Sequence, residues 1–242
     1  MPAPGLWRSA ARTHPGKVRG SNEDALLDRS EQGLWAVADG MGGHHGGERA
    51  SQLIVESLAG LPTQGGFDAR LQRLRQCLHW INRRLTQELT VVRGEPAPII
   101  GSTVVALLVE GCRAACVWAG DSRCYLWRGQ RLFQLTRDHS LRQQLIDRQG
   151  MSIEQASGHP SAHALTQAIG ASEALTLDIL ELRLLPGDAF LLCSDGLYQG
   201  VSERYLPEAL GLTSPDGALD RLFEQVLRGP ARDNLTAVVI RQ

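Results

Sequence analysis

Apolar residues recur along this chain in short strand-length runs, interrupted by stretches of helical period. Residues 24–38 read as two short strands around a polar turn at 29–32. The segment 40–47 carries five glycines and two histidines after its first residues and reads as an irregular loop. Ala50, Leu53, Ile54 and Leu58 then share one helical face, which ends at Leu61 and Pro62. Phe67, Leu71, Leu74, Leu78, Ile81, Leu85 and Leu89 step by threes and fours, predicting a long amphipathic helix. Only about two clean heptads are present, so that helix is expected to face a core rather than a coiled-coil partner. Residues 90–101 form a loop bearing Pro and Gly, and four strands follow at 103–109, 113–119, 124–127 and 132–135, read as one meander. Residues 141–148 look helical, and Ser152 to Gln155 fit a capping box for a second short helix. Strands at 175–184 and 189–193 flank the turn signal Pro186-Gly187. Helices at 203–210 and 215–227 and a last strand at 235–241 complete the pattern. Hairpin-like spacing predicts antiparallel sheets rather than repeated βαβ units.

Composition narrows the class. The 242 residues are 43% hydrophobic and 21% charged, with a net charge of −1, which favours a packed globular core over disorder. Lys and Arg are scattered, so neither nucleic acid nor a membrane surface is an expected partner. The first 20 residues hold no apolar h-region, and no apolar run approaches the roughly 20 residues of a membrane span. Cys77, Cys112, Cys116, Cys124 and Cys193 are odd in number and lack C-x-x-C spacing, as expected of reduced cysteines in a cytoplasmic protein. Without an internal repeat or low-complexity linker, residues 1–242 are read as one domain.

The candidate chemistry lies in acidic residues at strand ends. Asp39, Asp121, Asp195 and Asp233 each adjoin a hydrophobic, strand-like stretch. Carboxylates are poor strand formers, and several converging in one place repel unless protons or cations intervene. Arg19-Gly-Ser-Asn-Glu-Asp24 places an arginine able to grip phosphate beside two further carboxylates. The glycines from Gly40 fit neither a dinucleotide fingerprint, since His45 stands where Gly is required, nor a Walker loop. Each motif alone is weak, because surface charge and Asp-Gly turns are common.

Together these stretches, in order, resemble the PP2C (PPM) family of metal-dependent Ser/Thr protein phosphatases, specifically its compact bacterial type. The matching stretches are R-x-x-N-E-D (19–24), V-A-D-G-M-G-G-H (37–44), G-S-T (101–103), G-D-S-R (120–123), T-R-D-H-S (136–140), A-L-T-Q-A-I-G (164–170), L-L-C-S-D-G-L (191–197) and D-N-x-T (233–236). The resemblance implies an α+β fold, an α-β-β-α sandwich of two antiparallel sheets flanked by helices, with a flap at about 141–163. It implies two core Mn²⁺ or Mg²⁺ ions and a weaker third site. Asp39, Asp195 and Asp233 match the first site; Asp39, the Gly40 carbonyl and, through water, Glu23 match the second; Asp24 matches a residue that supports the ligands from behind or reaches an ion through water; Asp121 with Asp195 matches the third. Arg19 matches the phosphate-binding arginine. A hydroxide bridging the two ions would attack phosphorus in line with the Ser or Thr oxygen. Eukaryotic members carry a candidate general acid, a His, two residues after the metal Asp; here that position is Met41, and His44 is a candidate acid, with a metal-bound water or another substrate-facing His as the alternatives. His139 is expected to be structural.

The implied partners are phosphorylated proteins, including a bacterial Ser/Thr kinase and its targets, with the enzyme a monomer. A role in a type VI secretion locus suits the compact length. The alternatives are a pseudophosphatase binding module, whose signature would be lost metal carboxylates, and a hydrolase of small phosphoesters. All the expected carboxylates are present.

Overall fold

Strands buried on both faces need no polar alternation, and that governs the layers of this chain. The structure, a computed structural model, describes residues 7–42, 45–89, 100–202 and 204–242. In chain order the strands are β1 (Arg8–His14), β2 (Asp24–Arg29), β3 (Leu34–Met41), β4 (Gly101–Ser102), β5 (Val104–Glu110), β6 (Arg113–Ala119), β7 (Arg123–Arg128), β8 (Arg131–Gln134), β9 (Asp178–Arg183), β10 (Ala189–Cys193) and β11 (Leu235–Arg241). The helices are α1 (Gly46–Ala59), α2 (Phe67–Arg84), α3 (Leu141–Gln149), α4 (Ile153–Ser157), α5 (Asp195–Tyr198), α6 (Tyr205–Leu210) and α7 (Pro215–Arg228).

Two antiparallel sheets lie face to face. One runs β1-β11-β10-β7-β8, the other β2-β3-β5-β6-β9, with β4 paired to β3. On β3, Leu34, Ala36 and Ala38 pack under α1 and α2, while Trp35 and Val37 face the opposite sheet. On β10, Leu191 and Cys193 pack under α6 and α7, while Phe190 and Leu192 face inward. Three hydrophobic layers result, one between the sheets and one beneath each pair of helices. This is the expected α-β-β-α sandwich. The long stripe from Phe67 to Leu85 is buried against the second sheet, and the helix runs on into a π-helical turn, Leu85–Leu89.

Several elements depart from the sequence reading. The four strands from 103 to 135 are not one meander: β5 and β6 belong to one sheet, β7 and β8 to the other. The chain crosses between sheets at Gly120, whose φ of +115° suits glycine and where a Cβ would lie 2.5 Å from that of Thr103. The turn at Pro186-Gly187 likewise joins strands of different sheets. Gly40 and Met41 extend β3, paired with Ser102 and Gly101, so the glycine-rich segment is partly strand and partly the start of α1. Strand β1 was not anticipated, because only Ala10 in it is buried and its pairing with β11 supplies what side-chain pattern does not. The loop expected over 90–101 lies outside the described residues up to 99.

The connection after β8 carries α3 and α4. Ser140 caps α3, and Ser152 and Gln155 form the expected capping box. Asp138 ties this segment down: it accepts two hydrogen bonds from Arg123 of β7, at 2.9 and 2.6 Å, and a third from Arg142 at 3.3 Å. Arg123 also lies 3.7 Å from the centre of the Tyr198 ring, linking the connection to α5. His139 is structural, as expected: its Nδ1 accepts from the Gly120 N–H and its Nε2 reaches Asp178.

The layer between the sheets is expected to dominate stability. Phe190 is fully buried there beside Trp7. Phe190→Ala should lower unfolding free energy by about 3–5 kcal/mol, measured by urea denaturation. A change below about 1 kcal/mol would show that the sheets are not held by this layer.

Candidate active site

At one end of the sandwich the layer between the sheets turns polar. Alternation after Trp35 and Val37 carries Asp39 to the same inward face of β3. On β2, Leu26 packs inward, Asp24 shares its parity, and the strand register sets Asp24 opposite Asp39. Ser194 and Thr236 meet them from the facing sheet. Ser194 Oγ donates to Asp24 Oδ2 at 2.7 Å and accepts the Thr236 N–H at 3.0 Å. Asp195 opens α5, Asp233 precedes β11, and Asp121 sits in the crossing after β6.

These groups border a cleft of about 520 Å³ whose lining includes Arg19, Glu23, Asp39, Asp121, Asp195 and Asp233. The structure therefore gathers the residues singled out from sequence. Asp24 lies just behind the cleft wall, 4% exposed. Gly40 contributes backbone: a Cβ there would fall 2.2 Å from the Gly47 carbonyl oxygen and 2.6 Å from that of Glu23. His44 lies outside the described residues.

The electrostatics are those of crowded, desolvated carboxyls. Burial, then the charges of Asp24, Asp195, Asp121 and Asp233, hold Asp39 well above the ordinary carboxylate range. Burial raises Asp24 to about 6, opposed by the Thr236 and Ser194 hydroxyls. Burial and Asp195 raise Asp121 to about 7. Asp195 is raised by burial and Asp233, and is lowered by the Gly196 N–H, by a hydrogen bond from Asp39 and by His163. Glu23 is raised by burial and lowered by Arg19.

Arg19 is the cationic counterweight. Its Nε and Nη2 donate to the two oxygens of Asp233 at 2.9 and 2.8 Å, a fork-to-fork pair with both side chains largely open to solvent. Asn234 positions the segment between them: its Oδ1 accepts the Glu23 N–H at 2.8 Å, and its Nδ2 donates to the Pro15 and Ser21 carbonyls at 3.0 Å each. Thr103 braces β3, accepting the Asp39 N–H and sharing a 2.7 Å hydrogen bond with Ser122. Asn234, Thr103, Ser194 and Thr236 were given no role in the sequence reading. All four lie within the D-N-x-T, G-S-T and L-L-C-S-D-G-L stretches, which is the available signal. Leu165, also in the lining, lies in the A-L-T-Q-A-I-G stretch, and His163 just before it has no such signal.

The donor set fits divalent Mn²⁺ or Mg²⁺. It offers hard oxygens only, and excess negative charge that cations would relieve. Asp24 Oδ1 is buried with no hydrogen-bond partner. As they stand, the described His, Cys, Asp and Glu side chains form no compact three-ligand group. Both oxygens of Asp233 are turned to Arg19.

Asp24 and Asp121 titrate higher in the fold than the ordinary value of 3.8, so ionising them opposes folding. Their stabilisation is complete below that value and is lost as pH rises through about 6 to 7. Chelator-treated protein should therefore gain thermal stability as pH falls from about 8 to 5, less so in Asp121→Asn. The same stability slope in wild type and variant would remove Asp121 as a source.

Similarity to known proteins agrees with the geometry. Residues 17–239 match the sequence model described as Protein phosphatase 2C. The Mycobacterium tuberculosis Serine/threonine protein phosphatase PstP is 38% identical over 236 residues, covering 97% of this chain and 45% of the relative. The chain thus spans about half the length of that curated relative. The structure of PppA, described as a key regulatory component of T6SS in Pseudomonas aeruginosa, superposes with a TM-score of 0.89 at 43% identity, covering 98% of each chain. A catalytic domain of PstP in complex with two manganese ions superposes with a TM-score of 0.80 at 35% identity, covering 97% of each. Carboxylates from both sheets, the arginine fork among them and a match across nearly the whole chain lead to one conclusion: this protein belongs to the protein phosphatase 2C family.

Proposed function

We propose that this chain hydrolyses phosphoserine and phosphothreonine in proteins, using divalent cations held in the carboxylate cleft. The carrying observation is the convergence of Asp24 and Asp39 from one sheet with Asp195 and Asp233 from the other, around a cleft that also presents Arg19. Asp39, Asp195 and Asp233 are the ligands of a first ion. Asp39, the Gly40 carbonyl and Glu23 serve a second, with Asp24 behind them. Asp121 and Asp195 serve a third. Mn²⁺ or Mg²⁺ bound there supplies Lewis acidity toward phosphoryl oxygens and lowers the pKa of water; a PstP catalytic domain similar to this chain carries two manganese ions.

The chain's own groups orient the substrate. Arg19 already holds two oxygens of one planar anion, Asp233, and a phosphoryl group presents the same two-point target. Asn234 fixes the backbone that bears Arg19 and Glu23, so the fork and the carboxylate keep a common frame. The open cleft suits a phosphorylated side chain presented on a protein surface.

Residues 1–242 act as one catalytic domain, with α3, α4 and the turns to residue 163 as a flap beside the cleft. The chain works as a monomer in the cytoplasm, reversing a Ser/Thr kinase on the kinase itself and its targets. Five unpaired cysteines support that compartment, and no described helix is long and apolar enough to cross a membrane. Similarity to PppA supports a regulatory place in T6SS.

The test is turnover of a phosphothreonine peptide with and without Mn²⁺. Activity should require the ion and should fall at least about 100-fold in Asp39→Asn. Ion-independent turnover, or full activity in that variant, sinks the proposal. Arg19→Ala should raise KM for the peptide about tenfold or more while Mn²⁺ affinity by calorimetry does not weaken. Unchanged kinetics would reduce Arg19 to a surface charge.

A further inference from the structure

We infer that His163 donates the proton to the departing serine or threonine oxygen. The inference rests on the phosphatase reading above and names a group that it leaves open. An alkoxide is a poor leaving group, so hydrolysis of a seryl or threonyl phosphate needs a proton donor at the ester oxygen. Met41, which lines the cleft, has no proton to give. Arg19 does not release one at any ordinary pH, and Glu23, Asp39, Asp121, Asp195 and Asp233 are committed as cation ligands. Among the described lining residues this leaves His163 as the side chain suited to proton transfer near neutral pH.

Its placement supports the role. His163 borders both the 520 Å³ cleft and an adjoining cavity of about 290 Å³, and Asp121 is the other residue that borders both. The ring therefore stands where the phosphate-binding space opens toward room for the rest of a substrate. It is near enough to Asp195 for its charge to lower that carboxyl. It makes no hydrogen bond or ion pair with any described residue, unlike His14, His45, His139 and His159. The backbone on either side is nonetheless fixed. The Ala162 carbonyl accepts the Arg142 N–H at 2.9 Å, and the Ala164 carbonyl accepts the Leu141 N–H at 2.8 Å. Ala162 is buried, and Leu165 bridges to Ser140. A free imidazole on an immobilised backbone, opening into the cleft, is an arrangement suited to proton delivery.

The step balances simply. A water oxygen forms its bond to phosphorus as the phosphorus–Oγ bond breaks. The electron pair stays on Oγ, which takes the proton of the His163 imidazolium and leaves as the alcohol. The attacking water's proton passes to solvent, and the neutral imidazole regains one from solvent before the next turnover.

The test compares two leaving groups in the Mn²⁺-loaded, full-length chain. Phosphothreonine peptide releases an alkoxide and needs the proton; p-nitrophenyl phosphate releases a stable phenolate and does not. In His163→Gln, kcat for the peptide should fall about 100-fold, while turnover of p-nitrophenyl phosphate stays within about twofold of wild type. That retained turnover itself shows a folded, ion-loaded site. In His163→Ala, added imidazole should restore part of the peptide activity. Equal loss on both substrates, no loss on either, or the selective loss appearing in His44→Gln and not in His163→Gln overturns the assignment. Wild-type protein inert toward the peptide defeats the phosphatase reading itself, and this inference with it.

Discussion

A hydroxyl of one sheet and a carboxyl of the other meet at 2.7 Å, Ser194 to Asp24, and the site is organised round that contact. It closes the layer between the sheets at the point where Phe190, Leu192, Trp35 and Val37 give way to polar side chains of the same parity. Nothing special is required of the strands. Each continues its two-residue alternation past the last apolar side chain, so whatever comes next on that face must point into the gap. On β2 and β3 the next residues are Asp24 and Asp39; beyond β10 and on β11 they are Ser194 and Thr236. The hydroxyls offer Asp24 partial compensation, and its second oxygen has none. The sandwich thus holds acidic groups where water is scarce, a cost that only an opposing charge or a proton can offset.

Two kinds of opposing charge are available within the cleft. Protons serve the inner carboxyls, which is why Asp39, Asp24 and Asp121 titrate upward. Arg19 serves the outer one, Asp233. Cations bound there, with Asp233 among their ligands, would compete with both, displacing protons from the inner groups and freeing the guanidinium from the outer one. Ion binding of that kind would leave a two-pronged anion receptor beside the ions and so couple readiness for phosphate to it.

Much of this was legible beforehand. The continuous hydrophobic runs of β3, β5 and β10 announced strands buried on two faces, and the stripe from Phe67 announced α2. Asp39, Asp195 and Asp233 could be found because an acid beside such a run is anomalous in itself. What stayed hidden was pairing. Little in 113–127 marks that β6 and β7 join different sheets, since both are apolar apart from their terminal arginines and the crossing is written only in Gly120 and its contact with Thr103. Strand β1 has almost no apolar signature, being held by its edge pairing to β11. His163 was missed because its place depends on backbone bonds from α3, twenty residues away in sequence and invisible to any periodicity.

The position of β11 has a further consequence for how the molecule comes into being. It lies between β1 and β10, so β1 has no partner strand in its sheet until residues 235–241 are in place. The strand also brings Asp233, Asn234 and Thr236, the groups that engage Arg19, Glu23 and Ser194. A nascent chain emerging from the ribosome therefore lacks Asp233 opposite Arg19, and Asn234 against Glu23, until almost all of this sequence has been made. The pairing of β1 and the last wall of the cleft are completed in one late step, so a polypeptide interrupted before residue 233 has neither.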